Sequence, residues 1–343
     1  MSYIFHHLLT SLGLSFTRHS PFPQDLPPNA LPGRVIINHG NHAEIAVAMP
    51  EGSEQQTVML SSAFDVTPVA GDWVLISQGA LTEVMPRYTQ LVRPAVDGHG
   101  VQVLAANIDT VLLVVSLEVS PSLKAVEKLL IMGWDSGANR VLVLTKTDLC
   151  NNLAAELERI EAVSMGIPIF CISTKTGEGL DEVARLVSNG KTTMLGASGA
   201  GKTTLLNVLE GTDEPTQQVR RDGQGRHTTT SRKLFMLNGG GVILDVPGIR
   251  SLTVGADDDA VRETFAEITA LAEQCRFTDC SHNGDFGCAV EAAVNDGTLP
   301  ERRLESWRQV QRELDYQRRK QDPALWAEQK KMWKQQTKQH RKR

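Results

Sequence analysis

Eight residues, GASGAGKT from Gly196 to Thr203, constrain this 343-residue chain more than any other stretch. They match GxxxxGKT, a spacing in which glycines let backbone N–H groups curl round phosphate oxygens while the next helix adds the positive end of its dipole. That geometry demands a strand before the loop and a helix after it. TTML and TTLLNVL supply them. Lys202 is placed to meet the β- and γ-phosphates and Thr203 to give its hydroxyl to magnesium. Gly196, Ala197, Ser198, Gly199, Ala200 and Gly201 line the cradle.

The surroundings agree with such a loop. The apolar runs IDTVLLVVSL, NRVLVLTKTD, IPIFCISTKTG, TTMLGASG and GGGVILDVPG alternate with helix-like segments such as PSLKAVEKLLIMGW and NLAAELERIEAVSM. Continuous Val/Leu/Ile strands alternating with amphipathic helices predict a parallel sheet covered on both faces. Each polar motif falls at the C-terminal end of such a strand, the edge where open α/β sheets bind ligands.

A phosphate loop does not choose a base, and TKTD, Thr145 to Asp148, bears on that choice. The Asp148 carboxylate can accept from the N1–H and exocyclic amine of guanine together, a pair that adenine lacks, while the Lys146 stem packs over the base. Alone, Thr145, Lys146, Thr147 and Asp148 would also suit a polar loop at a strand end. STKTG, Ser173 to Gly177, strengthens the guanine reading, because it resembles the SAK element of GTPases. The backbone N–H of Thr174, between Ser173 and Lys175, would then meet guanine O6.

DVPG supplies a metal contact in Asp245, holding magnesium through water, and a γ-phosphate sensor in the Gly248 N–H. The intervening RRDGQGRHTTTSRK is polar and glycine-containing, as a switch loop should be. One of Thr228, Thr229 and Thr230 completes the magnesium shell in this reading, with Thr229 favoured. Ile249 stands where many GTPases carry the glutamine that orients the attacking water. His227 is the nearest polar candidate for that task, although a lone loop histidine is as readily a bystander. The base motif precedes the phosphate loop, so the chain reads as circularly permuted.

Cys275-x4-Cys280-x-His282-x5-Cys288 offers three thiolates and an imidazole, a set suited to tetrahedral zinc. Cys150 and Cys171 read as small core hydrophobes. The first residues, MSYIFHHLLTSLGLSF, make a poor signal peptide, and no apolar run reaches the ~18 residues of a membrane span. A cytoplasmic protein without membrane contact is expected. From Gly33 to about Pro94, short β-rich runs (GRVIINH, EIAVAM, TVMLSS, GDWVLIS) separated by turns suggest a small antiparallel barrel or sandwich, preceded by a proline-rich arm. DDDAVRETFAEITALAEQC reads as a helix leading into the cysteines. Residues Glu301 to Arg343 hold 14 Lys or Arg against 6 Asp or Glu, a net of about +8 on a chain whose formal total is -5. Trp307, Tyr316, Trp326 and Trp333 in that basic part would suit stacking on RNA or packing between helices equally well.

Taken together, these motifs resemble the ribosome small-subunit-dependent GTPase A family, the circularly permuted GTPases of bacterial ribosome assembly. GDWV, base motifs before the phosphate loop, GRHTTT, DVPG and CRFTDCSHNGDFGCAV carry the likeness over nearly the whole chain. The resemblance implies a multi-domain α/β protein: an arm (1–30), an OB-fold (31–95), a permuted GTPase domain (96–255), a helical zinc-binding domain (256–321) and a basic tail (322–343). It also implies zinc on Cys275, Cys280, His282 and Cys288, magnesium with GTP, and a catalytic role for His227 with Lys202 and Thr229. Partners would be the small ribosomal subunit with its rRNA and GTP or GDP, for a monomer acting late in subunit maturation. Thr145 and Thr174 depart from the family's usual asparagine and alanine, and the chain could be a divergent second copy. Two other classes stay open: an RNA-binding assembly protein that holds GTP as a structural ligand, and an ATP-dependent kinase or ATPase sharing the phosphate loop.

Overall fold

A computed structural model describes residues 21–321 apart from 24, 50–51, 61–65, 96–100, 165, 189, 212–232, 238–239 and 246–257. The arm's first twenty residues, the switch loop with His227 and Thr228 to Thr230, Gly248, Ile249 and the tail with Trp326 and Trp333 lie outside the described residues. The chain divides into two compact units, 1–91 with 103–252 and 92–102 with 253–343.

In the first unit, β1 (Ala30–Asn38), β2 (His42–Met49), β3 (Gly52–Met59), β4 (Trp73–Ser77) and β5 (Ala80–Val84) form an antiparallel sheet in the order β3-β2-β1-β4-β5. The edge strands β3 and β5 approach each other without pairing, so the sheet is curled. Strand β5 escaped the sequence reading because Leu81 is its one buried side chain. The end of the proline-rich arm is docked on this sheet: Phe22 is buried and sets its ring edge-on to Trp73 at 5.8 Å.

After a two-stranded ribbon of β6 (Gln90–Pro94) and β7 (Val101–Ala106) come β8 (Thr110–Ser116), α1 (Leu123–Asp135), β9 (Asn139–Thr145), α2 (Leu153–Ser164), β10 (Ile169–Cys171) and α3 (Leu180–Val187). The unit continues with β11 (Lys191–Leu195), α4 (Lys202–Glu210), β12 (Lys233–Met236) and β13 (Val242–Asp245). The sheet order is β10-β9-β8-β11-β13-β12, parallel except for the antiparallel edge strand β12. Alternate residues of the central strands feed two cores. Leu113, Val115, Leu142 and Leu144 pack with Val126, Leu129 and Ile160 of α1 and α2. Leu112, Val114, Val141 and Val143 pack with Val183, Val187, Leu205 and Leu206 of α3 and α4. Two apolar faces are why these strands read as unbroken hydrophobic runs.

The two sheets of this unit share a buried polar seam. The Asn107 amide donates to Gly71 O at 3.1 Å, Tyr88 Oη donates to Asn107 O at 2.8 Å, and Lys191 at the foot of β11 pairs with Asp109 at 2.9 Å. Asp72, fully buried, is held by two bonds from Arg87 at 2.7 and 2.8 Å. Burial still pushes its carboxyl above the usual range, with Arg87 pulling the other way. Burial lowers the neighbouring Arg34 guanidinium to about 10, which still leaves it charged near neutral pH.

The second unit holds α5 (Asp258–Thr264), α6 (Ala266–Ala272), α7 (Ala289–Asn295) and α8 (Glu301–Gln321). The single helix expected before the cysteines breaks at Phe265, whose φ is -119° and whose ring is fully buried. Arg303 of α8 lies over that ring, and its Nη2 donates to the Thr264 carbonyl at 2.9 Å, satisfying an acceptor that the break frees. Among the described residues no helix is long and apolar enough to cross a membrane.

Candidate nucleotide and metal sites

Gly196 leaves β11 against the backbone of β8, where a Cβ would stand 2.3 Å from Val114 O, so no other residue fits. The loop ends at Gly201, whose φ of 93° caps α4 in the left-handed region. Ala197, Ser198 and Gly199 are exposed, Ala200 is buried, and Thr203 is exposed on the first turn of α4. The Lys202 ammonium turns back onto its own loop and donates to Gly196 O and Ala197 O, each at 2.8 Å. Burial lowers its pKa, and Asp245 at the end of β13 partly opposes that shift. Burial likewise raises Asp245, with Lys202 opposing. An under-solvated cation and carboxylate beside a ring of backbone amides suit a nucleotide's phosphates and its magnesium ion.

Thr145 is buried, and its hydroxyl donates to Ala200 O at 2.7 Å, fastening the end of β9 to the phosphate loop across 55 positions of sequence. Lys146 takes a left-handed φ of 60°, and its ammonium pairs with Glu118, beyond the end of β8. The buried Thr147 starts a 3₁₀ turn, and its N–H donates to Ile172 O at 3.3 Å. Asp148 accepts a 2.7 Å bond from the Ser173 hydroxyl, which itself accepts from the Lys175 and Thr176 amides at 3.2 and 3.1 Å. Lys175 Nζ stands 4.0 Å from the other Asp148 oxygen, and Thr174 is half-buried between the two. The Asp148 carboxylate is thus oriented by the second loop before any base arrives. Glu118 belongs to no motif, and only the pairing of β8 with β9, Ser116 opposite Thr145, brings it to Lys146.

In the second unit the Cys275, Cys280 and Cys288 sulfurs and a ring nitrogen of His282 all lie within 4.8 Å of one another. His282 Nδ1 stands 3.6 Å from Cys275 Sγ and 3.4 Å from Cys288 Sγ. Tetrahedral zinc with its usual bond lengths sets such edges at about 3.6 Å, so the set fits the ion. Burial raises the Cys275 thiol, but hydrogen bonds from the Ala289 and Val290 amides and from the Cys280 and Cys288 thiols together lower it overall. Burial lowers His282, keeping the imidazole neutral as a ligand must be. Around these ligands Asp285 accepts from Ser281 N at 2.8 Å, Arg308 Nε donates to His282 O at 3.0 Å, and Glu291 takes the Gly284 amide at 2.9 Å. Trp307 meets the His282 ring edge-on at 5.3 Å, which gives that residue a packing role.

Comparison with known proteins bears on the family. The family described as RsgA GTPase matches residues 84–255. The small ribosomal subunit biogenesis GTPase RsgA 2 of Lactiplantibacillus plantarum is 42% identical over 299 residues, 83% of this chain and 84% of its own. The small ribosomal subunit biogenesis GTPase RsgA of Streptomyces coelicolor is 39% identical over 341 residues, 96% of this chain and 93% of its own. Among solved structures, YjeQ from Thermotoga maritima gives a TM-score of 0.63 at 27% identity over 83% of this chain and 98% of its own. YloQ, described as a circularly permuted GTPase, gives 0.61 at 22% identity over 86% and 98%, a likeness of fold alone.

Proposed function

The chain belongs to the RsgA GTPase family and is a GTP hydrolase, and from that premise we propose that it hydrolyses GTP on the maturing small ribosomal subunit, bound to its rRNA and stimulated by it. The observation that carries the reading is the joint at one sheet edge. Thr145 ties the base-reading strand to the phosphate loop, and Ser173 aims Asp148. A guanine held by Asp148, Lys146 and the Thr174 amide therefore fixes where its phosphates meet Gly196 to Thr203.

In this reading Lys202 leaves the loop carbonyls for the β- and γ-phosphates, and Thr203, Thr229 and Asp245 hold magnesium, which neutralises charge on the phosphates. The Gly248 amide senses the γ-phosphate, and His227 positions the attacking water, a task that Ile249 cannot perform. Zinc on Cys275, Cys280, His282 and Cys288 organises the second unit. The curled N-terminal sheet acts as an OB-type RNA surface. The division into arm (1–30), OB-fold (31–95), GTPase domain (96–255), zinc domain (256–321) and basic tail (322–343) belongs to the same proposal, as do a monomeric state and a cytoplasmic location.

Ile249 favours one second reading, in which GTP is a structural ligand for an RNA-binding assembly protein and its hydrolysis is incidental. Co-sedimentation with small and large subunits in a non-hydrolysable GTP analogue, in GDP and without nucleotide tests the main reading. Capture by small subunits in the GTP analogue, weaker in GDP, is expected. Equal capture in all three states would leave GTP without a switching role.

A further inference from the structure

The ligand-bearing loop between α6 and α7 also presents a surface that its four metal ligands do not use. Phe286 is 75% exposed and Phe277 48% exposed, and both stand on this one loop. Between them lies Arg276, with its guanidinium carbon 5.6 Å from the Phe277 centroid and 5.2 Å from the Phe286 centroid. Among the described residues no carboxylate forms an ion pair with it.

The backbone that bears these three side chains belongs to the metal loop. Arg276 and Phe277 follow Cys275 directly, Phe286 lies two residues before Cys288, and the Arg276 N–H donates to Gly287 O at 3.1 Å. Two ligands and a backbone bond therefore bring the ends of the loop together and set the rings on either side of one cation. Exposed aromatic rings grouped on one loop mark an interaction surface, and a guanidinium free of carboxylates is complementary to a phosphate. Unpaired nucleobases offer flat faces and phosphates a few ångströms apart.

The geometry points to Phe277, Arg276 and Phe286 as a stacking clamp for an unpaired RNA base and its phosphate. The inference rests on the proposed action on the small subunit for its source of RNA, and supplies that reading with a contact. Its chemistry is sequence-tolerant, because every base has a π-face, and it discriminates single strands and loops from duplex.

The test uses the full chain and two probes: a purine-rich single-stranded oligoribonucleotide with its duplex form, and purified small subunits. Phe277→Ala with Phe286→Ala should weaken single-strand binding by roughly tenfold or more, the range expected for loss of base stacking. Duplex binding, zinc content and basal GTP hydrolysis should stay unchanged. Phe286→Trp in the Phe277 wild-type background should keep or tighten single-strand binding, which separates stacking from a folding defect. Undiminished single-strand binding by the double alanine variant would overturn the clamp. So would loss of small-subunit capture with single-strand binding intact, since the patch would then dock on protein. Wild-type protein that binds the oligoribonucleotide through these rings yet ignores small subunits would instead fail the functional reading and leave the clamp standing.

Discussion

The nucleotide edge and the zinc loop solve the same problem, holding several polar groups in a fixed array, by opposite means. Thr145 and Ala200 are 55 positions apart and Asp148 and Ser173 are 25 apart, so the sheet and its two cores bring them together. Cys275 to Cys288 span fourteen positions in the loop between the short helices α6 and α7. The first array is held by a core formed before any ligand binds. On the proposed reading the second relies on its ion, because four ligands within one short loop gain much of their order from coordination. Removing a ligand group should therefore disturb structure in the second unit and chemistry in the first.

The largest expected effect follows from that difference. Cys280→Ser should release zinc and with it much of the order of the second unit, since structural zinc contributes about 10–16 kcal/mol in small metal domains. Metal analysis, limited proteolysis and GTP affinity measured together check this, with GTP affinity expected to stay within a few-fold. A parallel collapse of GTP binding would show that the two units depend on each other. Next in size is Asp148→Asn, which removes two charge-assisted bonds of about 1.5–3 kcal/mol each and should cost GTP about 10²–10⁴-fold in affinity while favouring xanthine nucleotides. Unchanged preference for GTP would take Asp148 out of the site. Thr145→Val strands the Ala200 carbonyl and should weaken nucleotide binding by about 5- to 30-fold, whereas Thr145→Ser retains the bond. Equal affinities in both variants would mean that this joint positions nothing. Smallest is Glu118→Gln: its pair with Lys146 is largely exposed, so an effect of about two- to fivefold on GTP affinity is expected, shrinking as salt rises.

How legible each region was follows the same division. The parallel sheet could be read because both faces of β8 and β9 are apolar, which leaves no alternation to confuse with an antiparallel strand. The cluster of three cysteines and His282 could be read because all four residues lie in one short segment. Strand β5 could not, since Leu81 is its one buried side chain. Neither could the break at Phe265, because a buried ring under Arg303 overrides a helical period that the residues on both sides support. Thr145 shows the limit at the site itself. The sequence places it in a base-reading motif, yet its bond to Ala200 depends on β9 and β11 both flanking β8. Glu118 carried no signal until that strand order was known. His227, Thr229 and Gly248 lie outside the described residues, and their roles rest on motif and family likeness.

The proposed chemistry rests on those three residues, so the most direct measurement is multiple-turnover phosphate release from GTP with and without small ribosomal subunits, for the wild type and His227→Ala. Free protein should turn over slowly, because Ile249 offers the attacking water no hydrogen bond, and small subunits should accelerate release by about 10³-fold or more, the range that a supplied positioning group gives in phosphoryl transfer. His227→Ala should lose most of that acceleration with GTP affinity kept within a few-fold. Equal wild-type rates with and without small subunits would contradict activation by the subunit, and full acceleration of His227→Ala would remove the histidine from the water's path.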